Sequence, residues 1–262
     1  MVICLTGTDL YQDLKCDPDV LDVLHLADQL VVLQPMALHE LPPGLLHRTM
    51  VIVQSARPPL VHVTKDPDHF DVCVIAHLRD IKDPLCTAKA ARLLPPQSMI
   101  RIFHVGAALS EDFARQATRE VEENPRFHWL GELSGERTGE VLLRSRILVI
   151  TSLNEGGANV VSEAVVSGVP VIGTDIPCTR GLLGKGYPGL FPVKDTARLA
   201  ELLFRAETDH DYYNELAARC RQEAYKFDPE LEKANLALLI DRVGATPRAC
   251  PIDGRPPGGA TT

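Results

Sequence analysis

Apolar residues in this chain come in short unbroken runs, with amphipathic stretches between them. Val2 to Leu5, Gln29 to Leu33, Met50 to Val53, Phe70 to Ile75, Ile100 to Val105, Phe127 to Leu130, Ile147 to Ile150 and Val169 to Ile176 read as strands. Ile147 to Ile150 is a β-branched run without alternation, which predicts a parallel strand covered on both faces. The intervening segments read as helices: over residues 10–14, up to the strand at Gln29, from Pro35 to the stop at Pro42-Pro43, and from Pro84 to Leu94 before Pro95-Pro96. Further helices are expected over Glu111 to Glu123, over residues 158–167, and over Thr196 to Ala206, Tyr212 to Tyr225 and Pro229 to Val243. Residues 174–181 and 184–192 read as loops. Strand–helix alternation of this kind defines an α/β fold with two Rossmann-like parallel sheets. Prolines 58, 59 and 67 mark residues 56–69 as a linker. The expected organisation is an amino-terminal domain over 1–65, a carboxyl-terminal domain over 70–228, a last helix over 229–243 and a Pro/Gly-rich disordered tail over 244–262. No repeat is visible beyond the strand–helix unit.

The stretch over residues 147–176 carries the candidate chemistry. A buried strand leads into Leu153-Asn154-Glu155-Gly156-Gly157-Ala158-Asn159. A short helix follows, with Gly168 as its C′ residue and Pro170 preventing its continuation. In a β-α-β unit the loop at the strand's carboxyl end faces a ligand crevice. Gly156-Gly157 lets backbone approach a ligand closely. The first helical N–H groups, near Ala158 and Asn159, are unpaired and form an anion site suited to a diphosphate. A ligand seated there places a sugar over Glu155 and a ribose near Glu163, and carboxylates accept hydrogen bonds from diols. The plainer alternative makes both glutamates solvated helix-end residues.

Composition narrows the field. With 27 basic and 35 acidic residues the formal charge is −8, which argues against a nucleic-acid partner but not against an anionic nucleotide bound by local donors. Seven cysteines, an odd count without a C-x-x-C pair, point to reduced thiols and a cytoplasmic setting rather than to a metal site or disulfides. No apolar run approaches the ~18 residues of a membrane span. Met1 to Leu5 lacks the length and basic flank of a secretory signal.

Glu155-x7-Glu163, followed by Ala164 and Ser167-Gly168-Val169-Pro170-Val171-Ile172, resembles the donor-binding signature of retaining glycosyltransferases of the GT-B fold, family 4. Within that family the chain resembles the selenosugar synthases of selenoneine biosynthesis. The residues that carry this are Leu5-Thr6-Gly7-Thr8-Asp9-Leu10-Tyr11, Ala76 to Pro84, Glu155 to Glu163 and Gly181-Leu182-Leu183-Gly184. The resemblance implies a UDP-sugar donor, UDP-N-acetylglucosamine, with neither metal nor cofactor. It implies a small anionic acceptor, selenophosphate, and a product with a carbon–selenium bond. Glu163 would hold the ribose, Glu155 the sugar, and the Gly157, Ala158 and Asn159 amides with Lys82 the diphosphate, with Gly156 in the same donor-binding loop; residues 229–243 would be the crossover helix to the amino-terminal domain. Lys82 and Glu155 are the residues expected to act in catalysis. Lys82 matches the family's lysine; His77 takes the place of its arginine and Arg79 follows two residues later, so either can assist. Gly131-Glu132-Leu133 falls where relatives hold the donor base with backbone groups.

The acceptor side falls to Thr6, Gly7, Thr8 and Asp9, in a loop where many relatives carry a histidine. Small hydroxyls and an amide there suit an oxyanion, although Asp9 equally suits a helix cap. The chain enters a core strand at its second residue, whereas a half-domain precedes this point in the family. An amino domain cut short, or a misassigned start, is therefore expected, with a minimal variant as the alternative. His104, His128 and Cys178 receive no role, and Arg180 reads as a surface residue. Two rival functions remain: a family 4 enzyme acting on a glycan or lipid, and a nucleotide-sugar-binding module without catalysis.

Overall fold

The computed structural model describes residues 1–61 and 63–245. Its strands form two all-parallel sheets. The first is β1 (Val2–Leu5), β2 (Gln29–Val32) and β3 (Thr49–Val51), in that order. The second contains β4 (Phe70–Ile75), β5 (Ile100–Val105), β6 (Phe127–Trp129), β7 (Ile147–Ile150), β8 (Val171–Thr174) and β9 (Leu190–Phe191), in the order β6-β5-β4-β7-β8-β9. Strands β2, β7 and β8 are buried at every position, which explains why their sequences are apolar without alternation. Leu5, Leu10, Leu24, Leu30 and Leu45 make the core of the first sheet. A much larger cluster, from Phe70 to Phe227, covers both faces of the second.

Local rules account for most helix ends. Ser110 caps the Glu111–Glu123 helix by accepting from Phe113 N–H. Gly168, at φ +71°, closes the Asn159–Val166 helix in a conformation that glycine adopts without strain. The Pro229–Ala245 helix returns to the first sheet, where Leu239 packs with Val31, Met50 and Ile52. Glu232 on that helix accepts from the Ser55 amide (2.9 Å) and hydroxyl (2.5 Å).

Several segments depart from the sequence reading. Pro43 begins a second 3-10 helix (Pro43–Arg48) after Pro35–Glu40, since a proline that stops one helix has the φ to start another. The Gly135–Arg144 helix was not anticipated; two glycines weaken its signal, but Ser134 caps it and Val141 and Leu142 are buried. Residues 174–181, expected as a loop, contain the start of a helix (Pro177–Leu183). Pro177 occupies its first turn, and the Thr179 hydroxyl accepts from Ile176 N–H (3.3 Å). The loop over 184–192 contains β9. The helix expected over 10–14 extends over residues 7–16, with a π-helical middle at Asp9–Asp13. Most of the tail expected over 244–262 lies outside the described residues.

Candidate active site

From β4 the chain builds outward to β5 and β6, then returns to place β7 on the other side of β4. The carboxyl ends of β4 and β7 therefore diverge at a topological switch point, where parallel sheets take their ligands. The loop after β7 is pinned to the loop after β4. Thr151 donates its hydroxyl to the Lys82 carbonyl (2.7 Å), and Leu153 N–H bonds the Ile81 carbonyl (2.8 Å). These contacts bring Lys82 and Glu155 together: Lys82 Nζ donates to Glu155 Oε1, an ion pair largely shielded from solvent. Ser152, itself buried, donates its hydroxyl to the same oxygen (2.7 Å), and its carbonyl accepts from the Thr174 hydroxyl (2.6 Å). Glu155 is thus held by two donors on one carboxylate oxygen. Sequence reasoning missed Ser152; its position three residues before Glu155, at a strand end, was the available signal.

The glycine pair also serves the packing of the two sheets' loops. A Cβ on Gly156 would lie 2.5–2.8 Å from the backbone of Thr6 and Gly7, and one on Gly7 would lie 3.0 Å from the Gly156 nitrogen. On Gly157 it would meet the Leu33 side chain. The missing side chains make room for the loops after β1 and β2, while both glycines also line the cavity beside Glu155. Ala158 is buried and precedes the Asn159–Val166 helix, whose own first N–H groups begin at Asn159. Burial pushes the Cys178 thiol up to about 12.

Three cavities follow one another along the crevice. The first, about 450 Å³, is lined by Thr6, Gly7, Thr8, Gln12, Gln54, Asn154, Glu155, Gly156 and Gly157 from both sheets' loops. Arg79 lines it and also the second, about 420 Å³, where His77, Lys82, Gly106, Glu132 and Leu133 lie. Ile75 and Thr138 are shared in turn with the third, about 700 Å³, which holds Asn159 and Glu163 and is walled by the linker at Ser55 to Val61. Glu163 is half-buried, and its carboxylate takes no hydrogen bond or ion pair among the described residues. Burial raises its pKa above the usual carboxylate range. His77 Nδ1 accepts from Ala107 N–H (3.1 Å), and His77 lines the second cavity.

The first loop is rearranged relative to expectation. Asp9 turns back on Thr6, accepting from its amide (2.8 Å) and its hydroxyl (2.7 Å). Asp9 therefore holds Thr6 rather than a downstream helix N–H and is absent from the lining of the first cavity, and the Thr6 amide and hydroxyl are both spent on it. Gln12, Gln54 and Asn154 line the cavity instead, and none of them was singled out in the sequence. Arg180 is paired with Asp175 (2.5 and 2.7 Å). His104 is buried with Nε2 on the Ala76 carbonyl (2.9 Å), and His128 stacks on Phe103. Among the described residues no cluster of three or more His, Cys, Asp or Glu could hold a metal, and no helix is long and apolar enough to cross a membrane.

Two parallel sheets meeting at a switch-point crevice, with a last helix returning to the first, define an α/β protein of the Rossmann-like GT-B type. The family described as glycosyl transferases group 1 matches residues 62–227, and the chain belongs to it. The chain is 28% identical over 118 residues to a Xenopus tropicalis protein named glycosyltransferase 1 domain-containing protein 1, covering 45% of this chain and 34% of that one. It is 33% identical over 87 residues to the putative teichuronic acid biosynthesis glycosyltransferase TuaC of Bacillus subtilis (strain 168), covering 33% of this chain and 22% of TuaC. The matches thus span about a third or less of these curated relatives. Among solved structures, Anabaena Alr3699/HepE in complex with UDP superposes with a TM-score of 0.78 at 18% identity, over 92% of this chain and 71% of that one. The same protein with UDP-glucose gives 0.75 at 19%, over 92% and 72%.

Proposed function

We propose that this chain transfers a sugar from a UDP-sugar to a small acceptor at the crevice between β4 and β7. The observation that carries this reading is the row of three joined cavities. A half-buried carboxylate without a protein partner, Glu163, sits at one end, and the braced carboxylate Glu155 at the other. Glu163 accepts from the ribose hydroxyls and Glu155 from the sugar hydroxyls. Lys82, whose ammonium has three donors and spends one on Glu155, meets the diphosphate with His77 and the Asn159 amide. As the anomeric C–O bond breaks, charge grows on the departing UDP, and fixed cations and amides there stabilise the transition state. Holding the acceptor against the anomeric carbon supplies the rest. That HepE was captured with UDP and with UDP-glucose supports UDP as the nucleotide.

The finer assignment rests on the resemblance to selenosugar synthases. The donor is UDP-N-acetylglucosamine and the acceptor selenophosphate. A C–Se bond forms where the C–O bond breaks, with retention of configuration, in the cytoplasm and without a metal. Calorimetric titration of UDP-N-acetylglucosamine into the chain and into Glu163→Ala tests the donor site. The variant is expected to bind about tenfold to a hundredfold more weakly, the worth of a hydrogen bond to a charged group. Equal affinity in both proteins would remove Glu163 from the site. Turnover with selenophosphate, followed by phosphorus resonance, then decides the acceptor.

A further inference from the structure

The charged groups around the first cavity do not balance. Its two charged liners are Glu155 and Arg79, and Glu155 is already neutralised by Lys82. The carboxylate of the same loop, Asp9, is folded onto Thr6 and does not line the cavity. Elsewhere Arg180 is paired with Asp175 and Lys226 with Glu223, and Arg57 lines the third cavity rather than this one. Arg79 takes no acidic partner among the described residues. It stands where the first cavity meets the second, at the head of the Asp80–Lys82 turn. The remaining polar liners, Thr8, Gln12, Gln54 and Asn154, are neutral hydrogen-bonding groups. A cavity with one uncompensated cation and a ring of neutral donors fits a small oxyanion, because guanidinium and amides both donate to its oxygens.

We infer that Arg79 is the specificity-determining cation of an oxyanion subsite in the first cavity, on the acceptor side of the bond that is made. This rests on the donor reading above and deepens it: Lys82 and His77 serve the donor diphosphate, and Arg79 selects an acceptor of phosphate-like charge and shape. An arginine offers parallel N–H groups to two oxygens at once, a geometry a lysine lacks.

Titrating inorganic phosphate into the chain saturated with UDP tests this, since UDP occupies the diphosphate groups. Phosphate is expected to bind the wild-type complex and to bind Arg79→Gln about tenfold or more weakly. The affinity of Arg79→Gln for UDP itself is expected to stay within about twofold of wild type, whereas Lys82→Gln loses UDP affinity. Arg79 is exposed and bonds no other side chain among the described residues, so its replacement leaves the fold intact, as a thermal melt would verify. The inference is overturned if phosphate ignores the UDP-bound wild type, if Arg79→Gln binds phosphate as well as wild type does, or if Arg79→Gln loses UDP affinity as Lys82→Gln does. Failure of UDP to bind the wild type overturns the donor reading instead; phosphate titrated into the free proteins then still compares Arg79→Gln with wild type.

Discussion

At the scale of single residues, the site is a set of carboxylates in unlike surroundings. Glu155 is braced by Lys82 and Ser152, whereas Glu163 is half-buried and alone. Because burial raises its pKa, Glu163 takes up a proton at a higher pH than an ordinary glutamate and then no longer serves as a double acceptor. UDP affinity is therefore expected to fall on acidification before the usual glutamate range is reached, and Glu163→Gln to flatten that fall, as calorimetry across pH would read. Ser152→Ala removes one of the two donors that fix Glu155. Sugar transfer is expected to drop about tenfold with UDP affinity unchanged, since UDP lacks the transferred sugar that would meet Glu155. His104 gives a stability effect of definite sign. Burial lowers its pKa to about 4, so the folded state resists a proton that the unfolded state accepts below about 6.5. Its contribution is complete above that unfolded value and is lost as pH falls toward the folded one. Urea melts at pH 7 and pH 5 should differ by about 2 kcal/mol from this residue, a difference that His104→Gln removes.

Elements were legible where one local cause sufficed. Phe70–Ile75 and Ile100–Val105 announce themselves as apolar runs, and Glu111–Glu123 by its capped start and amphipathic pattern. The Glu155-x7-Glu163 spacing likewise points to a loop and helix at a strand end. What the sequence hid was whatever depends on partners distant in the chain. Lys82 and Glu155 are 73 residues apart, and nothing local says that they pair. Gly156 and Gly157 invite a ligand on paper, yet the direction of their absent side chains is taken by Thr6, Gly7 and Leu33. Pro177 and Gly181 look like turn residues, but Gly181 lies in a helix at the place where Gln34 abuts it. Gly156→Ala is accordingly expected to destabilise by about 1–3 kcal/mol through overpacking against backbone. Gly44→Ala, where a Cβ meets nothing, is the control in the same denaturation series.

At the scale of the molecule, the two sheets are joined in several ways, among them Gln34 against Gly181 and the Ser162 hydroxyl on the Gln54 carbonyl (3.1 Å). A linker connects them, the loops after β1 and β7 touch through glycines, and the last helix lies back on the first sheet. The last contact rests on few groups, Leu239 against Val31, Met50 and Ile52 and Glu232 on Ser55. Leu239→Ala deletes a buried side chain and is expected to cost about 2–5 kcal/mol. If the helix matters only to the first sheet, amide exchange should quicken in β2 and β3 and not in β4 or β5.

That returning helix has a consequence for the chain as a mechanical object. Leu60 stands fully exposed on the linker beside the Glu163 cavity, an inviting place for a protease. A cut there would sever the direct covalent path between the sheets, yet residues 229–245 would still clasp the first sheet from behind, and the Ala56 amide would still bond the Phe227 carbonyl (3.2 Å). The nicked protein should therefore run as one particle on a sizing column and as two bands on a denaturing gel. Separately expressed halves should then find each other, making this fold a split protein whose reassembly reports on the cleft itself.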